Sequence, residues 1–127
     1  MCDPWIIISS LRNIENCLQD VLDWTAEVDS TDDFTHSPHG VMLLNAVCMK
    51  LIAVGEEVKS IDKRTNKLLL AEYPEIFWKD IMGLRDVIAH RYFQIDAEKI
   101  FTTVKEDIPK LTDAVRRIRY NLENKRN

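Results

Sequence analysis

Glycine and proline are scarce in this chain of 127 residues, three and four respectively, which leaves little room for the turns of an all-β fold. Cysteine is scarce too. Cys2, Cys17 and Cys48 are an odd number, with neither metal-ligand spacing nor a disulfide framework, and a reducing cytoplasm is the natural setting. No long hydrophobic run occurs. The apolar stretch Trp5–Ile8 is too short for a signal segment or a membrane span, so cytoplasmic residence is expected. The net charge of −4 argues against a general polyanion-binding coat and leaves room for a local basic site. There is no glycine-rich phosphate loop and no paired-carboxylate site, and no cofactor is expected.

What is present is helical periodicity. Asp3 is placed to cap a first helix running to about Val28, with Pro4 at its first position and Ile7, Leu11, Ile14, Leu18, Val21, Thr25 and Val28 on one face. Asp29 to Gly40 reads as a connector with one helical turn near Asp32–Phe34. A second helix is predicted from about Val41 to Ile61, with Leu44, Val47, Leu51, Val54, Val58 and Ile61 inward, followed by a short one over Lys67–Glu72. A further helix opens at Pro74 and runs to His90, carrying Phe77, Ile81, Leu84 and Ile88 in one stripe. Asp96 caps a last helix, whose stripe Ile100, Val104, Ile108, Leu111, Val115, Ile118 and Leu122 continues in phase past Pro109, where a kink is expected. The whole reads as one all-α domain over 1–127, an antiparallel bundle of four long helices and one or two short ones, with a basic end fraying from about residue 121.

The Pro74–Phe93 stretch carries the chemistry. Arg85 sits among Trp78, Met82 and Ala89 on a second face, an environment in which a guanidinium needs a partner. His90 follows five residues on and Tyr92 comes just after, so a permanent cation, a group titrating near neutrality and a phenol share one segment. Five residues on a straight helix separate two side chains by about 140°. Either the helix ends or bends near His90, or the site is assembled from more than one chain. A two-fold pair of these helices would bring two histidines and two arginines into one cleft. That set suits RNA cleavage without a metal, which needs a base, an acid and a cation against charge building on phosphorus. The commoner role of an Arg and a His near a helix end is a cap, a dipole partner or a salt bridge. A dimeric helical module that holds a nucleotide or a partner protein without cutting is the alternative from another class.

The string Arg85-Asp86-Val87-Ile88-Ala89-His90-Arg91-Tyr92 resembles the Arg-x4-His-x-Tyr motif of the HepT-like branch of the HEPN superfamily. Ala46-Val47, Leu51 and Val54-Gly55-Glu56-Glu57 resemble its second-helix pattern. Tyr73-Pro74-Glu75-Ile76, Trp78 and Ile81-Met82-Gly83-Leu84 are similar to its lead-in, and Asp107-Ile108-Pro109 with Leu111 to its last helix. The resemblance spans about residues 5–120. Met49-Lys50 and Ile52 depart from it, standing where many relatives carry Arg-Asn and Glu. It implies a HEPN-like helical homodimer acting as an endoribonuclease toxin, with an MntA-type nucleotidyltransferase antitoxin as partner. By position, Arg85 and His90 would be catalytic, Asp86 supporting, and Tyr92 the adenylylated residue.

Weaker candidates remain. Asp32, Asp33, His36 and His39 could be drawn as a metal site, although such polar loops are usually solvated and no metal is expected. Lys63, Arg64 and Lys67 form one basic cluster, and Arg116, Arg117, Arg119, Lys125 and Arg126 another. Either suits an RNA backbone or a plain solvated face. Trp5, Trp24 and Trp78 read as core or interface residues rather than stacking platforms.

Overall fold

The structure, a computed structural model, describes residues 3–90 and 94–125, with His90 described by its backbone alone. The fold is all-α: α1 Pro4–Trp24, α2 Asp32–Thr35, α3 Pro38–Arg64, α4 Trp78–Met82, α5 Leu84–His90, α6 Ala97–Thr102 and α7 Ile108–Lys125. Helices α1, α3 and α7 form the body, with α1 packed against both α3 and α7. The predicted stripes meet there. Ile7, Leu11, Ile14, Leu18 and Val21 of α1 are buried against Leu44, Val47, Leu51, Val54, Val58 and Ile61 of α3 and Ile108, Leu111, Val115 and Ile118 of α7.

Local signals set the ends. The Asp3 carboxylate accepts the Trp5 backbone N–H at 2.9 Å, and Pro4 fills the position where a missing N–H costs nothing. Ser37 does the same for α3, its Oγ accepting the Gly40 N–H at 2.9 Å. That cap, with Pro38 behind it, starts α3 one turn before the expected Val41. At its other end α3 runs past Ile61 to Arg64 and stops in a Schellman cap: the Lys67 N–H donates to Asp62 O at 2.8 Å and the Asn66 N–H to Lys63 O at 3.3 Å. Asn66 and Lys67 take left-handed backbone angles to do so, with φ of 54° and 64°. The expected helix over Lys67–Glu72 is therefore reduced to a 3₁₀ turn at Leu70–Glu72.

The largest departure lies in the stretch after it. Pro74 does not open a helix. The Ile76 N–H bonds back to Tyr73 O, so Pro74 occupies the second position of a reverse turn, where its fixed φ is equally at home. The helix begins only at Trp78, and Phe77, predicted inward, stands ahead of it at 79% exposure. Gly83 then ends α4 and α5 starts at Leu84, so the expected single helix is an elbow of two short ones. The rest of its stripe is correct, since Ile81, Leu84 and Ile88 are buried.

Pro109 acts as its chemistry requires. It has no N–H to give and its ring crowds the carbonyl of Lys105, four residues back. The chain answers with a π-turn over Thr103–Asp107 between α6 and α7, and the apolar stripe stays in phase across it. The Lys105 ammonium uses that turn to reach the end of α1, donating to Thr25 O at 3.0 Å.

Candidate functional site

Arg85 lies in the first turn of α5, and its position is set by α3. A side chain on Gly55 would put its Cβ 2.7 Å from the carbonyl oxygen of Ile81 and 3.5 Å from Cβ of Leu84. The absence of that Cβ lets the α4–α5 elbow sit directly on α3. One residue along, Glu56 meets the arginine: Nη1 of Arg85 donates to Oε1 of Glu56 at 3.4 Å. The contact is single and long, and the guanidinium remains 61% exposed. Its other N–H groups face solvent, where a phosphate can be gripped by two of them at once.

The surroundings of Arg85 differ from those predicted. Trp78 is buried with its indole N–H held by Tyr73 O at 2.9 Å, and Met82 is half-buried, whereas Arg85 and Ala89 are exposed. Arg85 is not framed by apolar side chains. The guanidinium turns outward beside Ala89 while Trp78 turns in, and the partner the charge finds is Glu56. Asp86 is exposed in the first turn of α5, where a negative charge complements the helix dipole. His90 closes α5, but its side chain, like all of Tyr92, lies outside the described residues.

The lead-in to this elbow is pinned to α7. Asn121 donates to the Tyr73 hydroxyl at 2.8 Å, Arg117 lies 5.9 Å from the centre of the Tyr73 ring, and Arg117 pairs with Glu75. Their charge-assisted hydrogen bond draws the Glu75 carboxylate below its ordinary range and the guanidinium above its own. Arg116 and Arg119 are engaged likewise, while Arg126 lies outside the described residues. Arg119 hydrogen-bonds to Glu15 and, at 3.2 Å, to Glu123, and Arg116 reaches Gln19 at 2.9 Å. These three arginines tie α7 to α1 and to the lead-in. The lysines near the end of α3 are different: Lys59, Lys63 and Lys67 are all exposed.

In the connector, Asp33 accepts the backbone N–H groups of Asp29 at 2.7 Å and Ser30 at 3.2 Å, and His36 pairs with Asp32 at 3.4 Å. Among the described residues no group of three or more His, Cys, Asp or Glu side chains is arranged to hold a metal ion. Lys50, at one of the departures from the resemblance, points to α1. It pairs with Asp20 at 2.9 Å and lies 5.3 Å from the centre of the Trp24 ring, and the Asp20 hydrogen bond raises its pKa. Periodicity gives no sign of Glu56 as the partner of Arg85. Its place beside Gly55 in the second-helix pattern is the one signal that points to it.

The family described as Ribonuclease HepT-like matches residues 4–118. The chain belongs to this family. A Methanocaldococcus jannaschii protein named "Putative RNase MJ1380" is 30% identical over 105 residues, covering 83% of this chain and 89% of that protein. A second from the same organism, "Putative RNase MJ0125", is 29% identical over 91% of this chain and 92% of its own length. "Probable ribonuclease HepT" of Thermococcus cleftensis is 36% identical over 58% of this chain and 64% of its own. No solved structure matches the chain. In this HepT-like chain, no helix among the described residues is long and apolar enough to cross a membrane.

Proposed function

We propose that this HepT-like chain is a metal-independent endoribonuclease toxin of a HepT/MntA-type pair, cutting RNA in a cleft shared by two copies. The observation that carries the reading is Arg85: a solvent-facing guanidinium, held at one corner by Glu56, on the short helix that His90 closes. In the reaction, His90 removes the proton from a ribose 2′-hydroxyl and the freed oxygen attacks the adjacent phosphorus. The bond from phosphorus to the 5′-oxygen breaks, and that oxygen takes its proton from the partner subunit's His90. Arg85 stabilises the charge on the phosphoryl oxygens as it builds. The products are a 2′,3′-cyclic phosphate and a free 5′-hydroxyl. The partner that silences it is an MntA-type nucleotidyltransferase, acting on Tyr92.

The test is cleavage of a labelled single-stranded RNA by purified protein in EDTA, with light scattering for its size. Expected are a dimer, activity without divalent metal, and a loss of about 10²–10⁴-fold in His90→Ala. Arg85→Lys also loses activity, because an ammonium lacks the planar fork. An absolute Mg²⁺ requirement, or a strict monomer with full activity, overturns the mechanism. RNA bound but never cut, with no growth arrest on expression, points instead to a non-catalytic binding module.

A further inference from the structure

The geometry points to a binding subsite for the RNA sugar-phosphate backbone along Lys59, Lys63 and Lys67, leading away from Arg85 down one side of α3. The inference rests on the ribonuclease reading and extends it from the reacting phosphate to its neighbours.

Glu56, the residue that holds Arg85, is followed at three and seven residues by Lys59 and Lys63, the spacing that keeps side chains on one helix face. At 1.5 Å of rise per residue, Lys63 stands about 10 Å beyond Glu56 along the axis. The Schellman cap then turns the chain at Asn66, and Lys67 donates its backbone N–H to Asp62 O, which keeps it beside the last turn of the helix. Between them is an open hollow of about 450 Å³, lined by Lys59, Asp62, Lys63, Asn66 and Lys67, three cations to one carboxylate.

The contrast with the other basic cluster decides which of the two is available. Arg116, Arg117 and Arg119 each have a carboxylate within 4 Å, so their charge is spent inside the fold. Among the described residues, Lys59, Lys63 and Lys67 form no ion pair, while the chain as a whole carries more acid than base. Uncompensated lysines gathered on one face of an acidic protein repel one another and gain by meeting phosphates, with release of the counterions condensed on the nucleic acid. A single strand leaving the Arg85 cleft along α3 meets them in turn.

The experiment measures binding of a labelled single-stranded RNA of about a dozen nucleotides to the His90→Ala protein across a range of salt concentrations, and KM for the same RNA with His90 intact. Neutralising Lys59 and Lys63 together, as Lys59→Gln/Lys63→Gln, should weaken binding several-fold and flatten the log Kd against log salt slope by roughly 1.4, about 0.7 for each phosphate that is no longer neutralised. KM should rise with little change in kcat, because these lysines hold the backbone equally in ground and transition state. Lys110→Gln is the control for charge alone, since Lys110 borders a hollow already lined by Glu75, Asp80 and Asp107. It should leave the slope as it is. An active enzyme whose slope and KM survive the double change overturns the subsite while the ribonuclease reading stands. A wild-type protein that neither binds nor cuts RNA fails the reading itself. A double variant that handles RNA normally but no longer captures the transferase assigns the lysines to a protein partner and also overturns the inference.

Discussion

The carbonyl oxygen of Ile81 leaves no space for a side chain on Gly55: a Cβ there would approach it to 2.7 Å. Intrinsic preference alone says that Ala should improve a helix interior at this position by about 1 kcal/mol. The packing reverses the sign. Gly55→Ala must push the α4–α5 elbow off α3, at a cost of about 1–3 kcal/mol of the kind seen when a packed core is overfilled. Urea unfolding measures the sign directly. The substitution also moves Arg85 away from Glu56, so activity should fall even at temperatures where the protein stays folded.

Glu56 is predicted to work through Arg85 alone. The pair is exposed, so its loss should cost no more than about 1 kcal/mol of stability. Its effect on rate should be larger, because displacement of a reacting group by about 1 Å can cost on the order of 10²-fold. Glu56→Ala should therefore lower kcat while the thermal midpoint barely shifts. Glu56→Gln keeps an acceptor oxygen and should retain more activity. The decisive comparison is Glu56→Ala placed in an Arg85→Ala background. If Glu56 acts only by orienting the guanidinium, the second change adds no further loss, and a full additive loss shows another role.

How legible each feature is in the sequence follows from what its signal depends on. The stripes of α1, α3 and α7 are legible because each of these helices buries one face, and that face is written in steps of three and four. Pro109 is legible because its missing N–H has one consequence wherever the helix continues. Pro74 is not, because the same ring suits the first turn of a helix and the second position of a reverse turn, and only the Ile76 to Tyr73 hydrogen bond separates the two. Reading one unbroken helix from Pro74 places Phe77 inside and sets Arg85 among Trp78, Met82 and Ala89. The reverse turn at Pro74 undoes the first, because the helix starts only at Trp78, and the second fails because Arg85 and Ala89 face outward while Trp78 is buried. The contact of Arg85 with Glu56 spans 29 residues and depends on how α5 lies over Gly55, which no local pattern encodes. Ser37-Pro38 does carry a cap signal one turn ahead of Val41, but it is a signal of caps and not of apolar spacing, so periodicity starts α3 too late.

Cys48 gives a pH prediction with a defined sign. It is buried in α3, and burial pushes its thiol from 9.0 up to about 11. The folded state thus resists forming the thiolate, whereas the unfolded chain ionises at the ordinary value. Stability is unaffected below about 9 and falls as pH rises from there toward 11. In a Cys2→Ser/Cys17→Ser protein, a thiol reagent at pH 8 should react at the rate of unfolding and not faster. Rapid modification of the native protein would show that Cys48 is reached without opening the core.

Tyr92 carries the last prediction. Two residues past His90, it follows directly on the helix that presents Arg85. Attaching AMP to its hydroxyl would bring a negative phosphodiester and a bulky nucleoside beside the reacting groups. That phosphate can pair with the free edge of the Arg85 guanidinium, in the place where the scissile phosphate would sit. One modification then neutralises the cation and blocks the cleft together. Intact-mass analysis after co-expression with a cognate MntA-type transferase should show the gain of one or more AMP units, and peptide mapping should locate them on Tyr92. Tyr92→Phe should stay unmodified and remain toxic in the presence of the transferase. The Arg85 partnership adds a finer expectation: Arg85→Ala should still accept AMP, because the tyrosine is the nucleophile and the arginine only meets the product. If Tyr92→Phe is silenced as fully as the wild type, inhibition proceeds by binding, and the phenol has no part in it.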